Sequence, residues 1–146
     1  MAPDDVPHAL PVAEALRAGT AQLRSAGIAA PALEARLLLA ASLGVPAGQL
    51  LAEPQREVPL AAYAGLLARR AGHEPLAYLI GRREFWSLDL AVSPATLIPR
   101  PDSETLIEAV LRRRHPGTVR RVLDLGTGSG ALLLAMLAEC RDAWGL

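Results

Sequence analysis

The part of this sequence most capable of chemistry is a glycine-rich loop between two apolar runs. Arg121–Leu125 is typical of a buried strand, and the run that ends near Cys140 is typical of a helix. Glycines at such a junction let the main chain approach a ligand closely, and the N–H groups that open the helix attract an anionic group. The pattern therefore predicts a nucleotide-type cofactor bound by Gly126, Thr127, Gly128, Ser129 and Gly130.

Asp124 lies two residues before the first glycine and discriminates between cofactors. A carboxylate there would repel the diphosphate of a dinucleotide. It would attract the ammonium or sulfonium end of S-adenosylmethionine, directly or through water. S-adenosylmethionine is therefore the preferred cofactor, although Gly126, Gly128 and Ala131 also satisfy the relaxed dinucleotide pattern G-x-G-x-x-G/A. A loop-capping role is the alternative for Asp124.

The elements that position this loop are typical of an α/β fold. Strand, glycine loop and helix in this order open a doubly wound, Rossmann-like domain, and Trp144–Leu146 resembles the start of its second strand. One strand and a fragment of the next cannot bury both faces of a parallel sheet. We therefore expect the domain to be incomplete and the sequence to be truncated.

The first 80 residues predict a small bundle of short helices, because none of them could be stable alone. The apolar periodicity and the Gly and Pro punctuation predict helices over Val12–Ala26, Pro31–Gly44 and Pro59–Ala71. The apolar face of the second helix is predicted to consist of Leu33, Leu37, Ala40 and Ala41. Arg69 and Arg70 end the third helix, where cations complement the helix dipole.

After Arg83 the sequence changes from helical periodicity to short extended segments. Glu84–Trp86 and Asp89–Val92 predict a hairpin around a turn at Ser87-Leu88. A proline-stiffened loop follows, and then a helix that begins at Asp102–Glu104 and runs to about Arg113. We expect a helical domain over residues 1–80, a hairpin and linker over 81–98, and the cofactor-binding domain from residue 99 to 146.

Composition excludes several classes of function. The 15 Arg residues balance 15 acidic residues with no Lys, so no global positive field exists to hold nucleic acid, which is an improbable direct substrate. Arg112–Arg114 is interpreted as the solvated end of a helix. The lone Cys140 excludes a disulfide framework, and no Cys/His cluster suggests zinc or another metal.

The sequence also lacks signals for export or membrane insertion. Its acidic, proline-broken start is unlike a secretory signal, and the apolar run Gly126–Ala138 is too short to span a bilayer. We therefore expect a soluble cytoplasmic protein without a membrane partner. Its oligomeric state is left open.

Beyond these patterns, the sequence resembles one bacterial family along almost its whole length. Residues 74–104, EPLAYLIGRREFWSLDLAVSPATLIPRPDSE, resemble the stretch that joins the two domains of release factor glutamine methyltransferases, and VLDLGTGSGALLLAML resembles their first cofactor motif. GTGSG is shared by many class I methyltransferases. The ordered combination P-x-A-Y-x-x-G, E-F-W and I-P-R-P-[DE]-[ST]-E is far more specific.

The resemblance implies methyl transfer from S-adenosylmethionine to the side-chain amide nitrogen of the glutamine in the GGQ loop of peptide chain release factors. It implies a helical domain that engages the release factor, a connecting hairpin that includes Phe85 and Trp86, and a Rossmann-like methyltransferase domain. Arg100, Pro101 and the turn at residues 102–104 would lie near the cofactor pocket.

The family orients the acceptor amide with an N-P-P-Y loop, which residues 1–146 do not contain. No catalytic residue is therefore assigned, and we expect this chain alone to be inactive. Three alternatives stay open. They are another class I methyltransferase acting on a different protein or on nucleic acid, a nicotinamide-dependent oxidoreductase, and a non-catalytic module that binds a partner.

Overall fold

A computed structural model describes residues 8–146, which divide into two compact units between Ile80 and Gly81. Residues 1–7, on which the prediction about an export signal depends, lie outside the described residues. Over the described residues, the fold combines helices with three small two-stranded sheets. Among residues 8–146, no helix is long and apolar enough to cross a membrane.

The described part of the first unit, residues 8–80, contains five helices and one antiparallel strand pair. Its elements are β1 (Ala9–Pro11), α1 (Val12–Ser25), α2 (Pro31–Leu43), α3 (Gln49–Ala52), β2 (Glu57–Pro59), α4 (Ala61–Ala71) and α5 (Leu76–Ile80). The three predicted helices are confirmed to within two residues, except that Pro59 ends a strand instead of opening α4. Leu10 pairs with the buried Val58 in that sheet, and strands of three residues are too short to show an alternating pattern.

The core of this unit is made by side chains from every helix except α5. The predicted apolar face of α2 is wrong in part. Ala40 is buried, but Leu33 is 48% exposed and the buried set is Ala35, Leu38, Leu39 and Ala40. Because α2 is apolar almost all round, its sequence pattern could not select the face that packs.

Arg70 lies in the last turn of α4 as predicted and also makes a contact that the sequence did not predict. Its Nε donates to Glu34 Oε2 at 2.5 Å, and its Nη1 donates to the carbonyl oxygen of Glu74 at 3.1 Å. The side chains of Arg70 and Glu34 are only 16% and 14% exposed. This partly buried pair joins α4 to α2, whereas Arg69 pairs with Glu74 on the surface.

Helices α1 and α4 approach closely where Gly19 faces Tyr63. A Cβ atom at Gly19 would lie 2.0 Å from Tyr63 Oη and 2.9 Å from its Cζ. The ring is buried, and its hydroxyl donates a long hydrogen bond of 3.5 Å to the carbonyl oxygen of Ala15. Only glycine leaves room for the aromatic ring at this crossing.

The second unit begins with a hairpin of β3 (Arg82–Phe85) and β4 (Leu88–Ala91). The predicted hairpin is confirmed, but its turn lies one residue earlier, at Trp86-Ser87. Both residues have positive φ, 52° and 58°, as the two-residue turns that match the twist of a hairpin require. Neither is Gly or Asn, so the usual sequence signal for this turn is absent.

The rest of the second unit lies on both sides of the glycine loop in the sequence. Its helices are α6 (Glu104–Arg113), preceded by a 3₁₀ turn at Pro101–Ser103, and α7 (Ala131–Glu139), and its strands are β5 (Arg121–Val122) and β6 (Trp144–Gly145). Strand β5 is shorter than the predicted Arg121–Leu125, because only two residues pair with β6. The two strands are parallel, with α7 as the connection between them.

Replacing Gly19 with Ala is expected to destabilise the first unit by about 1–3 kcal/mol, because the new methyl group would overlap Tyr63. Adding Tyr63→Phe removes the nearest atom, Oη, and should recover part of the loss. Urea denaturation followed by circular dichroism measures both. Gly65→Ala is the matched control, since Gly65 is an exposed glycine of α4 with nothing within 4 Å of its Cβ position. A full loss that persists in the double variant would contradict the proposed overlap.

Burial raises the pKa of Tyr63 from 10.0 to about 12. The folded protein therefore keeps the phenol proton at a pH where the unfolded chain has lost it, so stability falls as pH rises between these two values. Tyr63→Phe is expected to remove that part of the pH dependence. Denaturation midpoints of both proteins at about pH 9 and about pH 11 test this, and parallel losses in the two proteins would contradict it.

Candidate functional site

The glycine loop connects β5 to α7 through a path that needs glycine at three positions. Gly126, Gly128 and Gly130 have φ values of 77°, 56° and 79°, which side-chain-bearing residues rarely adopt. The Gly130 N–H donates to the carbonyl oxygen of Thr127 at 2.8 Å and closes the loop against the first turn of α7. The predicted strand, glycine loop and helix are thus present in the expected order.

The start of α7 leaves hydrogen-bond donors at the loop. Gly130 occupies the N-cap position in a left-handed conformation, and no side chain caps the helix. The first N–H groups of a helix have no partner within it and carry a partial positive charge. Thr127 and Gly128 are exposed beside them, and Ser129 is half-buried. The loop can therefore receive a polar or anionic group of a ligand.

Asp124 lies just before this loop, and one of its side-chain oxygens is buried without a hydrogen-bond donor in the described part of the chain. Its backbone N–H donates to the carbonyl oxygen of Leu146 at 2.8 Å. Its side-chain Oδ2 is buried and accepts no hydrogen bond within residues 8–146. A buried carboxylate oxygen without a donor is costly. This supports a role in accepting a hydrogen bond or a positive charge from a ligand, and it does not support the loop-capping alternative.

Arg100 and Pro101 are exposed at the 3₁₀ turn that precedes α6. Ser103 N–H donates to the carbonyl oxygen of Arg100 at 3.0 Å, and Thr105 Oγ1 donates to that of Asp102 at 2.6 Å. Within residues 8–146, Arg100 and Pro101 make no side-chain hydrogen bond or ion pair with the glycine loop. Their predicted place at the pocket edge stays a prediction.

Glu104 has a role that the sequence did not reveal. Its Oε1 accepts the backbone N–H of Trp86 at 2.9 Å, so the last acid of the I-P-R-P-D-S-E segment supports the strained hairpin turn. The indole Nε1 of Trp86 donates to Glu139 Oε1 at 2.7 Å. Trp86 thus joins the hairpin to both α6 and α7. The indole N–H needs an acceptor when it is partly buried, so the sequence signals a partner such as Glu139 but gives no signal for Glu104.

Metal chemistry gains no support from the side chains. In the part of the chain that the structure describes, no group of three or more His, Cys, Asp or Glu residues could hold a metal ion. Cys140 is a buried free thiol whose pKa is raised by burial. It packs in the second core with Phe85 and Ile107.

Comparison with known proteins finds a family model that matches the first unit and named relatives that match most of the chain. Residues 14–81 match the family described as the PrmC N-terminal domain. A protein of Vibrio cholerae named release factor glutamine methyltransferase is 50% identical over 128 residues, which are 86% of this chain and 44% of the relative. A protein of the same name from Aliivibrio fischeri is 47% identical over 77% of this chain and 40% of its own length.

A third relative with that name, from Bradyrhizobium diazoefficiens, is 42% identical over 92% of this chain and 48% of the relative. The chain therefore spans about half the length of the curated relatives it matches. The match extends past the N-terminal domain into the second unit, because 141 residues are aligned.

Replacing Glu104 with Ala should leave the Trp86 N–H without its acceptor and destabilise the second unit by about 1–2 kcal/mol. Hydrogen exchange at the Trp86 amide is the direct measurement and should become faster, whereas Glu104→Gln keeps an acceptor and should preserve most protection. The control is Glu108→Ala, which removes only an exposed pair with Arg112. Unchanged exchange at Trp86 in Glu104→Ala would contradict this role.

Proposed function

Because this chain carries a PrmC N-terminal domain and is a relative of the release factor glutamine methyltransferases, we propose that the protein methylates peptide chain release factors. The methyl group is transferred from S-adenosylmethionine to the side-chain amide nitrogen of the glutamine in their GGQ loop. The observation that carries the proposal is 42% identity over 141 residues, which takes in both units.

In this proposal Asp124 and Gly126–Gly130 form part of the cofactor pocket. The unpartnered Oδ2 of Asp124 accepts a hydrogen bond or a positive charge from the methionine end of the cofactor. The N–H groups at the start of α7 favour its carboxylate. S-adenosylmethionine, when bound, supplies a methyl group on a positively charged sulfur. A dinucleotide would bring its diphosphate beside Asp124, where the like charges repel each other.

The acceptor poses a separate problem. An amide nitrogen is a poor nucleophile, because its lone pair is delocalised into the carbonyl group. Transfer therefore needs groups that orient the amide and accept hydrogen bonds from its N–H groups. Residues 1–146 contain no N-P-P-Y sequence for this task. We therefore assign cofactor binding and substrate recognition to residues 1–146, and no catalytic residue among them.

The remaining assignments follow the same proposal. Residues 1–80 would engage the release factor, and residues 81–98 would connect this domain to the next one. Residues 99–146 would begin a Rossmann-like cofactor domain. Arg100 and Pro101 would lie at the pocket edge. A substrate that works in translation termination would put the protein in the cytoplasm.

A chimera tests the function most directly. In the chimera, the aligned part of this chain replaces the corresponding part of the Vibrio cholerae relative, to which it aligns over 128 residues. The assay measures methyl transfer from labelled S-adenosylmethionine to a purified release factor. We expect turnover by the chimera and none by residues 1–146 alone. A folded chimera that binds S-adenosylmethionine but leaves the release factor unmodified would refute the proposed substrate.

Within the chimera, Asp124→Asn should weaken S-adenosylmethionine binding about tenfold, because a charge-assisted interaction is lost. Calorimetric titration measures the affinity. Asp142→Asn is the matched control, since Asp142 is an exposed acid of the same unit that pairs with Arg120. Tighter binding of a nicotinamide dinucleotide than of S-adenosylmethionine would reverse the choice of cofactor.

A further inference from the structure

A hydrogen bond between Trp86 and Glu139 links two residues that are each locally unfavourable where they lie. The indole Nε1 of Trp86 donates to Glu139 Oε1 at 2.7 Å. Trp86 belongs to the turn of the hairpin, and Glu139 is the last residue of α7, 53 residues further along the chain. The reason why each residue is unfavourable is different, and the hydrogen bond is what they have in common.

Glu139 lies at the end of a helix where negative charge is disfavoured. The carbonyl groups of the last helical turn carry a partial negative charge, which attracts cations and repels a carboxylate. The last turn of α7 contains no basic residue that would offset this repulsion. The other eight residues of α7 are Ala, Leu or Met, so Glu139 is not part of a polar helix face. The stability of the helix therefore does not explain this carboxylate.

Trp86 is unfavourable because of its backbone conformation. Trp86 and Ser87 have φ values of 52° and 58°, and a turn of this type favours Gly or Asn at both positions. Larger residues keep such conformations where the surrounding contacts enforce them. A glycine in place of Trp86 would suit the backbone, but it would have no indole to reach Glu139. Both unfavourable features thus have one shared result, which is the hydrogen bond.

This hydrogen bond is the one directional contact that a side chain of α7 makes within residues 8–146. The helix packs in the second core through Ala131, Ala135 and Met136, and apolar contacts of this kind are non-directional. A hydrogen bond, in contrast, weakens steeply when its distance or its angle changes. The contact of Glu139 with Trp86 therefore limits how far α7 can shift along its axis or turn about it.

The opposite end of α7 carries the glycine loop. From Ala131 to Glu139 the helix is about 12 Å long, at 1.5 Å per residue, so a shift of the helix at Glu139 also moves its first N–H groups. The loop follows the helix, because Gly130 is the N-cap and its N–H donates to the carbonyl oxygen of Thr127 at 2.8 Å. These first N–H groups are the ones that the proposed function assigns to the carboxylate of the cofactor.

We propose that Trp86 and Glu139 are positioning residues for the cofactor. Their hydrogen bond holds α7 in the position at which the glycine loop binds S-adenosylmethionine. The inference rests on the proposed function, because it takes S-adenosylmethionine as the ligand of the loop. Coupling between two sites is reciprocal, so the bound cofactor must in turn strengthen the hydrogen bond between Trp86 and Glu139.

The test uses a chimera with the Vibrio cholerae relative that retains residues 81–146 of this chain, so that the rest of the cofactor domain is present. Trp86→Phe keeps an aromatic ring without the donor, and Glu139→Ala removes the acceptor. Each should weaken S-adenosylmethionine binding about fivefold in calorimetric titration, whereas Glu139→Gln keeps an acceptor oxygen and should recover most of the affinity. The double variant should lose no more than the larger single loss, since both changes remove the same bond.

Two further measurements separate positioning from a purely structural role. Glu139→Ala also removes a carboxylate from the C-terminal end of α7, which offsets the lost hydrogen bond, so the denaturation midpoint should change little while the affinity falls. Hydrogen exchange at the Trp86 indole N–H, assigned as the NMR signal that Trp86→Phe lacks, should slow when S-adenosylmethionine binds. In Glu139→Ala the same signal should exchange fast with or without the cofactor.

Asp89→Ala is the matched control, because Asp89 belongs to the same hairpin and forms an exposed ion pair with Arg82. It should leave the affinity unchanged. The inference is overturned by unchanged affinity in Trp86→Phe and Glu139→Ala, or by an equal loss in Asp89→Ala. Both outcomes leave the proposed function in place, since the unaltered chimera still binds the cofactor. An unaltered chimera that does not bind S-adenosylmethionine would refute the proposed cofactor and this inference together.

Discussion

Two carboxylates that converge on one tryptophan organise the second unit. Glu104 accepts the backbone N–H of Trp86 and Glu139 accepts its indole N–H, so one residue joins the hairpin to α6 and α7. This matters because β5 and β6 pair over only two residues each, which is too short a ladder to hold a sheet in place. Side-chain packing under α7 and these two hydrogen bonds therefore help to hold α7, the helix into which the glycine loop leads.

The sequence predicted the local features well, because their signals are local. Glycines at 126, 128 and 130 sit where the backbone takes positive φ, and the ends of α1 and α2 follow Gly and Pro punctuation. Features that depend on distant partners were missed. They include the pairing of Leu10 with Val58, the contact of Arg70 with Glu34 and the face of α2 that packs. The second unit shows the same contrast. The glycine loop, a local feature, was predicted, whereas the contact of Trp86 with the distant Glu104 was not.

The two ends of β5 are chemically different. Its carboxyl end leads to an orphan carboxylate oxygen, three glycines and the free N–H groups of α7, an arrangement suited to a small charged cofactor. Its amino end carries two exposed arginines, Arg120 and Arg121. A single two-residue strand therefore separates a positively charged end from the glycine loop.

The aromatic residues are divided between the units in a way that affects spectroscopy. Both tryptophans, Trp86 and Trp144, belong to the second unit, and both tyrosines, Tyr63 and Tyr78, belong to the first. Selective indole excitation therefore observes one unit alone, and within it a hydrogen-bonded ring and a water-facing ring contribute distinct emission. Second-derivative absorbance, which separates tyrosine bands from tryptophan bands, observes the other. The chain thus contains intrinsic chromophores that can time the melting of each half separately, without any added label.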